Sequence, residues 1–159
     1  LVREVREFFD GPIALSGSIS EGSSVLSALA LGADFAYVGT KFIATEEANA
    51  SPGYKQMIID STADDIMYSA TFTGVNGNYL RPSVEAAGLN PEEHTSGSKD
   101  DMNFSTSAIA KKDNSSKAWK DIWGSGQGIG TIKDAPSVQT AVDQMVSEYE
   151  EAKSRLDNF

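Results

Sequence analysis

The apolar positions of the chain change their period along its length, and the changes mark its elements. Val2, Val5, Phe8 and Phe9 recur at the spacing of one helical face, and Asp10-Gly11-Pro12 then breaks the pattern. Ile13-Ala14-Leu15 follows as a short apolar run without polar alternation, as expected of a strand covered on both faces of a parallel sheet. It opens into a loop of small residues, Ser16-Gly17-Ser18-Ile19-Ser20-Glu21-Gly22. A helix comes next, with Val25, Leu26, Leu29 and Ala30 on its buried side and Gly32 where a left-handed C-cap is wanted. The cycle then repeats. Phe35-Ala36-Tyr37-Val38 reads as a second buried strand, and Gly39-Thr40 as a second small-residue turn ahead of another helical stretch. Strands about 20 residues apart with helices between them are βαβ units and predict parallel pairing.

Farther along, residues 51–65 predict a helix bearing Tyr54, Met57, Ile58 and Ile59. Residues 90–117 are rich in Ser, Asp, Asn and Lys and read as an irregular surface excursion. Asp134-Ala135-Pro136 signals the start of a last helix, in which Val138, Ala141, Val142, Met145, Val146, Tyr149 and Ala152 form one stripe opposite a solvated Glu/Lys face. No repeat beyond the βα unit and no linker interrupts the chain, which reads as one α/β unit. It opens on Leu1-Val2-Arg3 with a helical period already running, so the expectation is that polypeptide is missing from its front.

Charge and composition narrow the chemistry. The 159 residues carry 23 acidic and 13 basic side chains, a net charge of −10, which opposes a nucleic-acid partner because such binding rests on Lys and Arg neutralising phosphates. With no cysteine and one histidine, the chain offers neither a disulfide framework nor an evident metal centre. Its longest strongly apolar stretch, residues 25–31, falls well short of the ~20 residues that span a bilayer. A soluble, cytoplasmic protein without a membrane segment is the expectation.

Two consecutive strands ending in Gly/Ser/Thr turns are what a phosphate site needs, because small residues let backbone N–H groups approach an anion. In (β/α)8 barrels the loops after strands seven and eight commonly build such a site. Gly17-Ser18 and Gly39-Thr40 are its candidate halves, although each turn alone also serves as an ordinary tight βα connection. The run Gly124-Ser125-Gly126-Gln127-Gly128-Ile129-Gly130 fits no register of G-x-G-x-x-G and has no strand before it, so it is either a flexible loop or a place of close backbone approach to a ligand. Lys41 either offsets phosphate charge or bridges to a carboxylate. Arg81 reads as a structural ion-pair partner and His94 as an ordinary exposed histidine. Trp119 and Trp123, four apart, read as packing residues on one helical face. Glu46-Glu47 reads as a helix-start charge cluster and Asp64-Asp65 as a solvated turn.

In order along the chain, Pro12-Ile13-Ala14-Leu15-Ser16-Gly17-Ser18-Ile19, Ala28-Leu29-Ala30-Leu31-Gly32-Ala33-Asp34 and residues 38–47 are similar to the C-terminal half of the nitronate monooxygenases, formerly 2-nitropropane dioxygenases. Phe72-Thr73-Gly74, Asn78-Tyr79-Leu80-Arg81-Pro82 and Trp123 to Gly130 resemble that family's closing signatures, and FMN-dependent enoyl-ACP reductases share much of the pattern. The resemblance implies an FMN-binding TIM barrel, a flavoprotein that oxidises alkyl nitronates with dioxygen. It places Gly17 and Ser18 in the first phosphate turn and Tyr37, Val38, Gly39 and Thr40 in the second; apart from the resemblance, Gln127 has an amide able to bond flavin or phosphate. The family usually has Gly-Gly where this chain has Gly17-Ser18. A TIM barrel takes ~250 residues, so about two βα units plus C-terminal helices are expected here, residues 1–159 forming the C-terminal part of the barrel. The other strands and the family's catalytic histidine would lie upstream or on another chain. An isolated open piece of parallel sheet is then expected to be poorly stable, because its edge is unpaired and one apolar face uncovered.

Overall fold

The structure, a computed structural model, describes residues 1–70, 76–92 and 121–158. In chain order the elements are α1 (Val2–Arg6), β1 (Ala14–Ser16), α2 (Gly22–Ala30), β2 (Phe35–Tyr37), α3 (Thr40–Ile43), α4 (Pro52–Asp60), a 3-10 turn at Ala63–Asp65, β3 (Ile66–Ser69), β4 (Gly77–Leu80), α5 (Arg81–Ala86), a second 3-10 turn at Gln127–Thr131 and α6 (Val138–Leu156). They form two compact units, one of Leu1–Ile59 with Gln127–Phe159 and one of Asp60–Gly126.

In the first unit β1 and β2 pair in parallel, Ala14 opposite Phe35, Leu15 opposite Ala36 and Ser16 opposite Tyr37. The crossover helix α2 packs along α6, and the approach is close: a Cβ on Gly22 would collide with the backbone of Met145 and Tyr149. The Glu148 carboxylate accepts the Gly22 N–H at 2.8 Å, so α6 supplies an anion to the first turn of α2. Gly32 adopts a left-handed φ of +96° just after α2, the conformation its placement predicts. Ala28, Ala44, Ile58, Ile129, Ile132 and Ala141 are buried in this unit.

Four expectations change here. The strands are not covered on both faces: Leu15 and Ala36 are half-buried, whereas Phe35 is 61% and Tyr37 66% exposed, because two strands alone leave their second face without a neighbour. Helix α1 ends at Arg6, leaving Phe8 and Phe9 exposed. In α2 the buried residues are Gly22 and Ala28, and Leu29 is exposed, because the close contact with α6 selects small residues. The predicted helix over residues 51–65 stops at Asp60, and Thr62 then opens a 3-10 turn whose Asp65 carboxylate accepts the Thr62 N–H at 2.7 Å.

Helix α6 begins at Ser137, whose hydroxyl accepts the Thr140 N–H. Glu47 accepts the Val138 N–H through both carboxylate oxygens, at 2.8 and 3.0 Å, so its charge does cap a helix start, that of α6. The apolar stripe of α6 divides. Ala141, Met145 and Ala152 are buried, while Val142 and Val146 stay exposed and border, with Val25, Val38 and Phe42, an apolar groove of about 380 Å³.

The second unit holds a feature that the sequence pattern did not announce: β3 and β4 form an antiparallel pair, Ile66 opposite Leu80 and Ser69 opposite Gly77. Residues 123–125 run back along β4, with Leu80 N–H donating to Trp123 O at 2.8 Å and Ser125 N–H to Asn78 O at 3.2 Å. Trp123 is therefore extended backbone and not part of a helical face, while Trp119 lies outside the described residues. Met67, Val84 and Ile122 form this unit's core, with Tyr79 and Leu89 against them. Arg81 pairs with Glu92 at 2.5 Å, the structural role its sequence context predicts. His94 and Phe72-Thr73-Gly74, with most of residues 90–117, also lie outside the described residues.

Candidate functional site at the carboxyl ends of two parallel strands

Because β1 and β2 run parallel and end at the paired residues Ser16 and Tyr37, the chain leaves both strands on the same side of the sheet. The Ser16 hydroxyl donates to the Tyr37 carbonyl at 3.4 Å, joining the two exits. The turns themselves differ. After β1, Gly17 has φ +107° and Ser18 φ +54°, two left-handed residues in succession. The second is costly for any side chain but glycine. After β2, Gly39 has φ −111°, open to any residue, and serves as N-cap of α3, its carbonyl accepting the Phe42 N–H at 3.0 Å.

Both turns face open space, since a Cβ built on Gly17 or Gly39 meets nothing within 4 Å. Among the described residues the backbone N–H groups of Ser18, Ile19 and Gly39 make no hydrogen bond. Backbone donors beside an unobstructed surface are what an anion requires.

The glycine-rich stretch completes the wall. Its 3-10 turn, Gln127–Thr131, packs against α3. Gly128 lies hard against the first turn: an added Cβ would sit 3.0 and 3.1 Å from the backbone carbon and Cα of Ser18. Gln127, next to it, has an exposed side chain. Gly17, Ser18, Tyr37, Val38, Gly39, Thr40 and Gln127 thus all fall at one end of the β1–β2 pair. Tyr37 is exposed, and Val38 lines the apolar groove.

Among the described residues Lys41 bridges to no carboxylate. It is only 4% exposed and its ammonium donates to the Gln144 side-chain oxygen at 3.3 Å, on α6. The Gln144 amide in turn donates to Glu148 at 2.9 Å. Sequence reasoning also missed Ser20 and Thr131, whose hydroxyls meet at 2.9 Å, because 111 positions separate them and no local pattern links them.

At the opposite end of the strands Asp34 accepts the Ile13 N–H at 2.8 Å and pairs with Arg6. Those two partners hold its carboxyl below the ordinary carboxylate range. Among the described residues no cluster of three or more His, Cys, Asp or Glu is placed to hold a metal ion, and no helix is long and apolar enough to cross a membrane.

A parallel βα pair with small, open turns at its carboxyl end defines an α/β protein whose candidate ligand face lies where such folds place theirs. The family model for nitronate monooxygenase matches residues 1–148, and the chain belongs to that family. It is 31% identical over 80 residues to a nitronate monooxygenase of Paraburkholderia phytofirmans, covering 50% of this chain and 22% of that protein. It is 27% identical over 97 residues to a probable nitronate monooxygenase of Staphylococcus aureus, covering 58% and 27%. Among solved structures it is similar to FabK from Thermotoga maritima, with TM-score 0.71, 24% identity, and 99% of this chain and 50% of that one covered. A nitroalkane oxidase from Streptomyces ansochromogenes gives 0.72 and 24%, with 98% and 44% covered. These neighbours are TIM-barrel proteins, and the chain spans about half their length. Its own parallel sheet is open.

Proposed function

We propose that the chain supplies the phosphate-binding side of an FMN-dependent oxidoreductase of the nitronate monooxygenase type, acting in the cytoplasm on alkyl nitronates with dioxygen. In this reading β1 and β2 are the last two strands of a (β/α)8 barrel, residues 1–159 are its C-terminal part, and the remaining strands come from polypeptide outside these residues. The observation that carries the reading is the juxtaposition of Gly17-Ser18 with Gly39-Thr40 at the carboxyl ends of neighbouring parallel strands, each turn facing open space.

The residues present fit a phosphate. The N–H groups of Ser18, Ile19 and Gly39 are available to its oxygens, and glycine at positions 17 and 39 leaves the backbone approachable. The Thr40 hydroxyl and the Gln127 amide add side-chain donors. Bound FMN would supply the electron transfer between nitronate and dioxygen. What this chain contributes is binding and orientation, while the catalytic histidine that the family resemblance implies belongs to the part outside it.

The test is a pair of steady-state assays on the full-length gene product. Oxygen consumption with propionate 3-nitronate is expected. Turnover only with NADH and an enoyl thioester would replace this reading with an enoyl-ACP reductase, which shares the motif series. Turnover with neither would leave a non-catalytic phosphate-binding module.

A further inference from the structure

We infer that Ser20, Thr131 and Gly128 are positioning residues that hold the first phosphate turn in its binding shape, an inference that rests on the reading above. Ser18 sits at φ +54°, where a serine does not stay without support. Its surroundings supply that support from both sides. Gly128 abuts the Ser18 backbone, and its own Cβ position lies 2.7 Å from the Ser20 hydroxyl, so no larger residue fits between the two segments. Ser20, 4% exposed, is joined through its hydroxyl to Thr131 at 2.9 Å.

The direction of the bonds follows from the proton count. Thr131 has one hydroxyl proton and gives it to the Gly128 carbonyl at 3.2 Å, so the Ser20 proton goes to Thr131. A chain of two hydrogen bonds thereby runs from Ser20, two residues after Ser18, through Thr131 to Gly128, which abuts the Ser18 backbone. Without it the turn is free to relax toward φ values that serine prefers, and the Ser18 N–H and its neighbour shift with it. Ser20 and Thr131 touch no ligand in this account. They act through Ser18.

The measurement is the dissociation constant of FMN and of riboflavin, by flavin fluorescence quenching, on the full-length protein and on Ser20→Ala, Thr131→Val, the double variant and Thr131→Ser. Riboflavin lacks the phosphate and so reports everything except this turn. Each hydroxyl deletion is expected to weaken FMN about threefold to tenfold and to leave riboflavin unchanged. The double variant should be no weaker than Thr131→Val, which already removes both bonds of the chain including the one shared with Ser20, and Thr131→Ser should keep FMN affinity. Thr131 is exposed, so its substitution spares the fold. Parallel losses for both flavins, or no loss, overturn the inference while the phosphate reading stands. A parent protein that binds FMN no more tightly than riboflavin, or binds neither, overturns the phosphate reading and the inference with it.

Discussion

The two ends of the β1–β2 pair treat the polar groups of the backbone in opposite ways. At the amino ends, side chains close on the backbone: Arg6 donates to the carbonyls of Gly11 at 2.6 Å and Gly32 at 3.0 Å, and Asp34 takes the Ile13 N–H as well as Arg6. Those bonds tie the entry of β1 to the entry of β2 and fix their parallel register. At the carboxyl ends the side chains are small, the glycines face open space and backbone donors remain without partners among the described residues. Polar groups tied to one another serve stability, while open backbone donors bond water that a ligand can replace. Substitutions at the two ends should therefore separate, one set moving flavin retention and the other moving folding.

The largest expected effect is at Gly39. Its φ is not left-handed and its Cβ position is empty, so Gly39→Val should keep the fold and lose only about 1 kcal/mol for placing valine at an N-cap. The isopropyl group would nevertheless occupy the approach to the phosphate and abolish flavin retention. Flavin absorbance per mole of purified variant, alongside a thermal melt, decides it. Full occupancy would refute the phosphate assignment. Thr40→Ala comes next: losing one hydrogen bond to a charged group, about 1.5 to 3 kcal/mol, should weaken FMN by about one to two decades in a fluorescence titration.

How much of this contrast can be read from residues alone depends on the range of the interactions. The βα cycle from Ile13 to Thr40 is legible because hydrophobic period, Gly32 as a C-cap and small-residue turns are all local signals. The exposure of Phe35 and Tyr37 is not, since it depends on which neighbours the sheet has. The β3–β4 pair escaped notice because Ile66–Ser69 and Gly77–Leu80 are four residues each, too short for alternation to stand out. For the site, glycine at 17 and 39 announced the turns, whereas the bond between Ser20 and Thr131 exists only once the chain has folded.

Ser18 sharpens the comparison from within the ligand end. Its left-handed φ is one that glycine adopts without strain and serine does not. Ser18→Gly should relieve strain of about 1 kcal/mol, partly offset by the greater freedom of glycine in the unfolded chain. A higher urea midpoint with FMN retained is the expected result. A lower midpoint would mean that the serine hydroxyl makes a contact worth more than the strain.

The smallest effect is at the other end and is read against pH. The Ile13 N–H and the Arg6 guanidinium hold the Asp34 carboxyl below its ordinary value of 3.8, so the folded protein binds the proton less readily than the unfolded chain does. Ionised Asp34 therefore adds stability that is complete above pH 3.8 and is lost as the pH falls through the lowered folded value. Asparagine at this position keeps an acceptor for Ile13 but no charge for Arg6. Urea midpoints of the parent and of Asp34→Asn should differ at neutral pH and converge in acid, other carboxylates cancelling because both proteins share them. Flavin content at neutral pH should be equal in the two. A midpoint difference that stays constant down to acid pH would show that the amino-end tie does not depend on charge. A loss of flavin in Asp34→Asn would show that the two ends of the strand pair do not act independently.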